Sequence, residues 1–170
     1  MIIELKELSM DDGKDIFDMI KEIGPGENGY TNTGYDMDYQ SFSGYLQMNS
    51  DMAKGINLQP QFVPQTMYWL FVDKKPVGAG KLRDHLNDNL KKNGGHIGYT
   101  IRPSERGKGY GVLILRELLK KAKEKGIEEV LITCRESNIA SRKVIEHNGC
   151  ELVEINNQQC YWRKRLGSSI

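Results

Sequence analysis

Two hydrophobic periods divide the chain into elements. Residues Ile2 to Leu8 alternate loosely and predict a first strand. Ile16, Phe17, Met19, Ile20 and Ile23 recur at helical spacing and predict a helix over residues 10–23, with Ser9 placed to cap it and Gly24-Pro25-Gly26 to end it. Residues 24–37 are rich in Gly, Asn and Tyr and read as a loop, and a weaker helix follows over Tyr39 to Asn49. Pro60 and Pro64 break the stretch 51–66. Met67 to Val72 and Val77 to Arg83 read as two strands joined by the turn Asp73-Lys74-Lys75-Pro76. Gly78 and Gly80 share one face of the second strand, which calls for a close neighbour there. A polar, partly helical connector over Asp84 to Gly95 leads to a strand from His96 to Arg102.

Leu115, Leu118, Leu119 and Ala122 define a helix over Val112 to Lys125, with lysines on its other face and Gly126 as its stop. Glu129 to Cys134 is a nearly continuous β-prone run, as in a strand buried on both faces. Strand, helix and strand at this spacing predict a right-handed crossover. Asn138 to His147 is a short helix ended by Gly149. Cys150 to Ile155 and Gln159 to Leu166 form a closing hairpin around Asn156-Asn157-Gln158. The pattern predicts an α/β layer fold with hairpins at both ends of the sheet.

Composition adds exclusions. The 170 residues suit one domain with one core. With 24 basic and 23 acidic residues, nothing global points to nucleic acid or an anionic membrane. The lysines at 120, 121, 123 and 125 read as a wet helix face without interleaved aromatics. No apolar run approaches the ~20 residues of a membrane span, and the N-terminus is too short and charged for a signal peptide. Cys134, Cys150 and Cys160 lack metal-ligand spacing, and an odd, sparse count suits a reducing cytoplasm. None sits beside a sequence-evident base that would make it a nucleophile.

The candidate chemistry lies in Arg106-Gly107-Lys108-Gly109-Tyr110-Gly111, between a strand and a helix. Three glycines let backbone approach a ligand, and the helix start offers unpaired N–H groups and a positive dipole end. This suits a phosphate or pyrophosphate. Gly109 after Lys108 excludes the Walker pattern, and the glycine spacing excludes the dinucleotide fingerprint.

The stretch resembles the signature Arg/Gln-x-x-Gly-x-Gly/Ala of the GNAT N-acetyltransferases. Arg106, Gly109 and Gly111 fill it, and Ile101-Arg102-Pro103 precede it as that family's strand end and proline do. Asn138-Ile139-Ala140-Ser141 resembles the family's second cofactor segment, Asn-x-x-Ala/Ser. The likeness begins at about residue 67 and is strongest from Gly95 to Gly149. It implies a GNAT-type mixed, mostly antiparallel twisted sheet with a central parallel βαβ unit and helices on both faces, as a single domain over 1–170. It implies acetyl-CoA as cosubstrate, no metal, and transfer of the acetyl group to a primary amine by direct attack in a ternary complex. Ile101, Arg106, Gly107, Lys108, Gly109, Tyr110, Gly111, Asn138 and Ser141 would hold the cofactor. Backbone N–H groups near Tyr99 to Ile101 would polarise the thioester.

Catalytic residues are less marked. His96 begins the strand that carries catalytic groups in the family, where relatives often place a glutamate. Its near-neutral pKa suits a general base, and a surface histidine at a strand end fits equally. Many members carry a tyrosine seven residues beyond the asparagine, as the acid for the departing thiolate. Here that position is Ile145, so Tyr99 is the preferred acid and Tyr161 the second. Tyr30, Tyr35, Tyr39 and Tyr45, with Asp36 and Asp38, suggest a pocket for a cationic amine, small molecule or peptide; ordinary packing over a sheet edge is the other reading. A homodimer is left open. The competing classes are a non-catalytic acyl-CoA binding or sensing module and a protein-interaction domain with a vestigial loop.

Overall fold

Apolar side chains sort onto the two faces of a strand array, and the array sets the positions of everything else. A computed structural model describes residues 1–167. β2 (Gln65–Val72) and β3 (Lys75–Arg83) form a hairpin whose turn residues Asp73 and Lys74 have φ of 48° and 69°. Two positive φ values in a two-residue turn match the twist of paired strands. Pro76 falls beside a register shift at Leu70/Phe71, where its missing N–H breaks no regular ladder. β1 (Ile3–Glu7) pairs antiparallel with β2, and β4 (Ile97–Ile101) pairs antiparallel with β3. β5 (Glu129–Arg135), β6 (Glu151–Asn156) and β7 (Gln159–Arg165) are antiparallel in the order β5-β7-β6.

The class is the mixed α/β fold expected, with helices on both faces. Among the described residues its strands divide into a four-stranded sheet, β1-β2-β3-β4, and the three-stranded one. The division falls between β4 and β5, the strands that α4 (Tyr110–Glu124) connects. α1 (Lys14–Ile23) and α2 (Phe42–Ala53) cover one face, burying Ile16, Met19, Ile20, Phe42 and Leu46 against Met67, Trp69 and Ala79. α4 buries Ile114, Leu115 and Leu118 on the other face, with Leu70, Leu82, Ile97 and Ile132. α3 (Asp88–Lys92) lies in the connector, where Asn87 Oδ1 accepts the Leu90 N–H at 2.9 Å. α5 (Ile139–His147) follows β5. No helix among the described residues is long and apolar enough to cross a membrane.

Two boundaries differ from expectation for local reasons. Ser9 does not cap α1, which starts at Lys14 after Gly13. Ser9 instead closes a turn: its Oγ accepts the Asp11 N–H, and its N–H donates to Asp12 Oδ2. The same Asp12 oxygen accepts the indole N–H of fully buried Trp69 at 2.8 Å, so the turn is held by the core. α2 runs past Asn49 to Ala53, and the Asn49 side chain folds back to donate to the Tyr45 carbonyl at 2.9 Å, which satisfies a buried amide.

The glycine pair in β3 meets the neighbour expected of it. A Cβ at Gly80 would lie 2.7 Å from Leu118 Cδ1, and one at Gly78 would lie 2.8 Å from the Thr100 carbonyl oxygen. Leu118 is fully buried and cannot yield. Gly80→Ala should therefore lower unfolding free energy by about 1–3 kcal/mol, as overpacking does. Gly44→Ala, in α2 with nothing within 4 Å of its would-be Cβ, should raise it by about 0.4–1 kcal/mol. Urea denaturation of the two variants checks both signs.

Candidate active site

β4 and β5 are held together at one point. The His96 N–H donates to the Leu131 carbonyl at 2.8 Å, and the Leu131 N–H donates to His96 Nδ1 at 2.9 Å. A side-chain nitrogen thus accepts where a ladder would supply a carbonyl. Gly95, with φ of 61°, permits the approach: a Cβ there would lie 2.3 Å from the Leu131 carbonyl oxygen. The Gly94 N–H donates to Thr133 Oγ1, and Arg83 Nη1 donates to the Gly94 and Gly95 carbonyls. Beyond this clamp the strands part around an open cavity of about 570 Å³, with Ile97–Ile101 on one side and Ile132–Arg135 on the other.

The register of β4 aims its edge into that cavity. The Arg102 N–H donates to Val77, and the Arg83 N–H donates to His96, both across the β3–β4 ladder. Alternation along an antiparallel strand then turns the N–H groups of Tyr99 and Ile101 away from β3, toward the gap. Opposite residues share a face. Tyr99 pairs with Gly80 and lies on the α4 side, whereas Gly98 pairs with Lys81 on the α1–α2 side. The cavity therefore passes through the sheet and has two ends.

At the α4 end, Gly107 and Gly109 have φ of 78° and 82°. Gly109 is the N-cap of α4, no side chain caps the helix, and a Cβ at either glycine would meet nothing within 4 Å. The helix dipole and its first N–H groups open onto the cavity, which fits a phosphate-bearing cofactor. Tyr110, Gly111, Ile101 and Arg106 line the same wall. Asn138 caps α5, its Oδ1 accepting the Ser141 N–H at 3.2 Å, and both residues line the cavity. Ser141 Oγ lies 3.0 Å from the Tyr99 hydroxyl, so β4 and α5 are bridged across the gap. Burial pushes the Tyr99 phenol up to about 12 despite the Ser141 bond. The loop's base is fixed to α1 by Glu22, whose carboxylate accepts from Arg102 at 2.9 Å and Ser104 at 2.7 Å. Burial raises that carboxyl, but these bonds outweigh it and hold it at about 2.

Several candidate residues stand elsewhere than expected. His96 is 7% exposed, does not line the cavity and spends Nδ1 on Leu131, so it is a clamp and not a free base. Burial, with the Arg163 and Arg83 charges, lowers its pKa to about 4. The Lys108 ammonium pairs with Glu105 at 2.6 Å, and Lys75 pairs with the same carboxylate, so Lys108 is turned from the cavity it was expected to charge. Arg106 donates to the Ile101 carbonyl at 3.0 Å and pairs with Glu27, which locks strand, loop and the 27–31 segment together. Of the four N-terminal tyrosines only Tyr30 lines the cavity; Tyr35 and Tyr39 are exposed and Tyr45 is core. Asp38 caps the 3-10 turn at Tyr39–Ser41. Tyr161 donates to the Lys92 carbonyl outside the cavity, and Ile145 is fully buried.

The residues that sequence reasoning missed lie at the other end. Lys81, Arg83 and Arg135 line it with Tyr30 and Thr31. In sequence, Lys81 and Arg83 alternate with the apolar Leu82 in β3, which puts both on one face. Cys134 also lines the cavity, but burial raises its thiol, which disfavours a nucleophilic thiolate.

A sheet opened at one seam, with an uncapped helix start on one side, defines an α/β protein with an open cavity between two strands. Residues 34–151 match the family model of the acetyltransferase (GNAT) domain, and the chain belongs to that family. Among solved structures, the N-acetyltransferase PseH of Campylobacter jejuni in complex with acetyl coenzyme A aligns with a TM-score of 0.64 at 13% identity, covering 98% of this chain and 100% of that one. RimL, a ribosomal L7/L12 α-N-protein acetyltransferase in complex with coenzyme A, aligns at 0.69 and 18% identity, covering 96% and 93%. An acetyl transferase from Salmonella typhimurium that modifies the N-terminal serine of ribosomal protein L7/L12 aligns at 0.65 and 16%, covering 97% and 95%. At these identities the likeness is one of fold. Nothing matches among curated proteins.

The clamp has a pH signature. The folded-state pKa of His96 is depressed from 6.5 to about 4. The unfolded chain therefore takes up a proton first as pH falls, and stability is lost between those values, by roughly 3 kcal/mol at the low end. His96→Asn should remove that share of the acid sensitivity. His96→Ala should cost about 1–3 kcal/mol at neutral pH by orphaning the Leu131 N–H. Denaturant melts across the pH range read both effects.

Proposed function

We propose that the protein is an acetyl-CoA-dependent N-acetyltransferase, acting as one domain on a small-molecule or peptide amine. The observation that carries this reading is Tyr99. Its hydroxyl lies at the α4 end of the cavity, 3.0 Å from Ser141 Oγ, on the strand whose edge presents the Tyr99 and Ile101 N–H groups. Acetyl-CoA, when bound, supplies the thioester that the amine attacks directly in a ternary complex. The Gly107–Gly111 amides and the start of α4 hold the pyrophosphate, and Asn138 orders the first turn of α5 beside it. The two β4 N–H groups receive the charge that develops on the carbonyl oxygen. Tyr99, protonated at neutral pH, gives its proton to the departing sulfur while Ser141 orients the phenol, and the phenoxide then recovers a proton from solvent.

Proton removal from the amine is assigned to solvent. Glu27 and Glu105 are the cavity's carboxylates; the first is paired with Arg106 and the second with Lys75 and Lys108. The pH dependence of kcat/KM should accordingly follow the acceptor's own amine and shift with it, and His96→Asn should leave it in place. The three cysteines are free and buried, which supports a reducing, cytoplasmic setting.

Two variants test the reading. Gly109→Asp adds a side chain at positive φ and a negative charge at the anion site, and should abolish acetyl-CoA binding in calorimetry. Tyr99→Phe should lower kcat about 100-fold or more while acetyl-CoA affinity holds. Wild-type turnover by Tyr99→Phe would remove Tyr99 from the chemistry. The second reading, an acyl-CoA sensor, is favoured by Ile145, which is core where many relatives carry a tyrosine. It predicts acetyl-CoA binding with no amine consumed.

A further inference from the structure

The cavity end away from the glycine loop contains cations without counter-ions. Lys81 projects from β3 opposite Gly98. Its ammonium donates to the Thr31 carbonyl and lies 4.3 Å from the centre of the Tyr30 ring. Arg83, on the same face of the same strand, donates to Gln65 Oε1 and to two backbone carbonyls. Arg135 lies on that face of β5, since Ile132 and Cys134 point into the α4-side core. Among the described residues none of the three pairs with a carboxylate. Of the acids lining the cavity, Glu27 is paired with Arg106 and Glu105 with Lys75 and Lys108. Asp36 and Asp38, expected to make this end anionic, do not line it.

Burial disfavours a charge unless another charge or a ligand compensates it. Here burial, reinforced by Arg83, lowers the Lys81 ammonium to about 8. Carbonyl and ring contacts compensate it only in part. The missing partner is an anion delivered from outside. It is not required by the cofactor's pyrophosphate, because the uncapped helix start for that group lies on the opposite face of the sheet.

From this geometry we infer that the acceptor amine carries an anionic group, a carboxylate or a phosphate, which Lys81 and Arg135 receive while the amine faces the β4–β5 gap. This rests on the acyl-transfer reading of the cavity and adds the substrate class. Lys81 is the specificity determinant. Arg83 is a positioning residue that shapes the Gly94–Gly95 turn beneath it.

The test is a matched panel. Amino acids, their amides and their decarboxylated amines are compared as acceptors by acetyl-CoA consumption, alongside phosphoethanolamine and ethanolamine. The wild type should prefer anionic members by roughly tenfold or more in kcat/KM, the equivalent of one well-placed charge contact. The better of the carboxylate and phosphate series identifies the source. Lys81→Met should bring the ratio close to one with acetyl-CoA affinity unchanged, and Lys81→Arg should keep it. Equal or better use of the neutral members by the wild type would overturn the inference. If no amine is consumed, the transferase reading fails, and the anion site is then decided by binding. N-acetylated amino acids and their amides are titrated into protein saturated with coenzyme A. Carboxylate-selective binding lost in Lys81→Met supports the site; equal binding of both forms, or none, overturns it.

Discussion

The reciprocal bond between His96 and Leu131 is the constraint on which the rest depends. Continued pairing of β4 with β5 would leave no room for a ligand, and without this contact the two sheets would be joined only through the core under α4 and the Tyr99–Ser141 bond. A histidine ring accepting a buried backbone N–H holds the strands together at one residue and ends the ladder there. A buried N–H without an acceptor costs free energy, so the ring nitrogen is committed. The same commitment that makes His96 a good hinge pin makes it unsuitable for moving a proton. The chain thus places His96 at the apex of the wedge and Tyr99 three residues further on, where the wedge is open.

Close packing behind β3 keeps that wedge in register. α4 both caps the sheet and presents its N-terminus to the cavity, so its distance from the sheet decides where the anion site falls. Gly80 lets Leu118 approach β3, and Glu22 ties the loop's base to α1 across the sheet's end. The anion site is therefore referenced to both layers of the fold.

Charge is divided between the two ends by different means. At the α4 end the positive potential comes from backbone dipoles, because the loop's own side-chain cations are neutralised: Lys108 by Glu105 and Arg106 by Glu27. At the other end it comes from side chains held on strands. Backbone donors suit a ligand common to a family, since any sequence with glycines there supplies them. Side-chain cations can be exchanged one residue at a time, which would let this end tell one ligand from another if it holds the acceptor as proposed.

The sequence alone determined the elements from Met67 onward, the glycine loop, the helix after Asn138 and the family, because each rests on local signals: period, turn residues and motif spacing. It also located Gly78 and Gly80 as a close-packing face. What it could not determine was partnership across distance. Ser9 had the chemistry of a cap, but Trp69 in the core holds Asp12 in a competing turn. Lys108 had the charge for a phosphate, but Glu105, which also pairs with Lys75, meets it first. His96 had the intrinsic pKa of a base, but Leu131 takes its nitrogen. A residue's type and spacing are written in the chain, whereas a hydrogen bond or ion pair goes to whichever partner the fold brings within about 3 Å, and only the tertiary structure decides that.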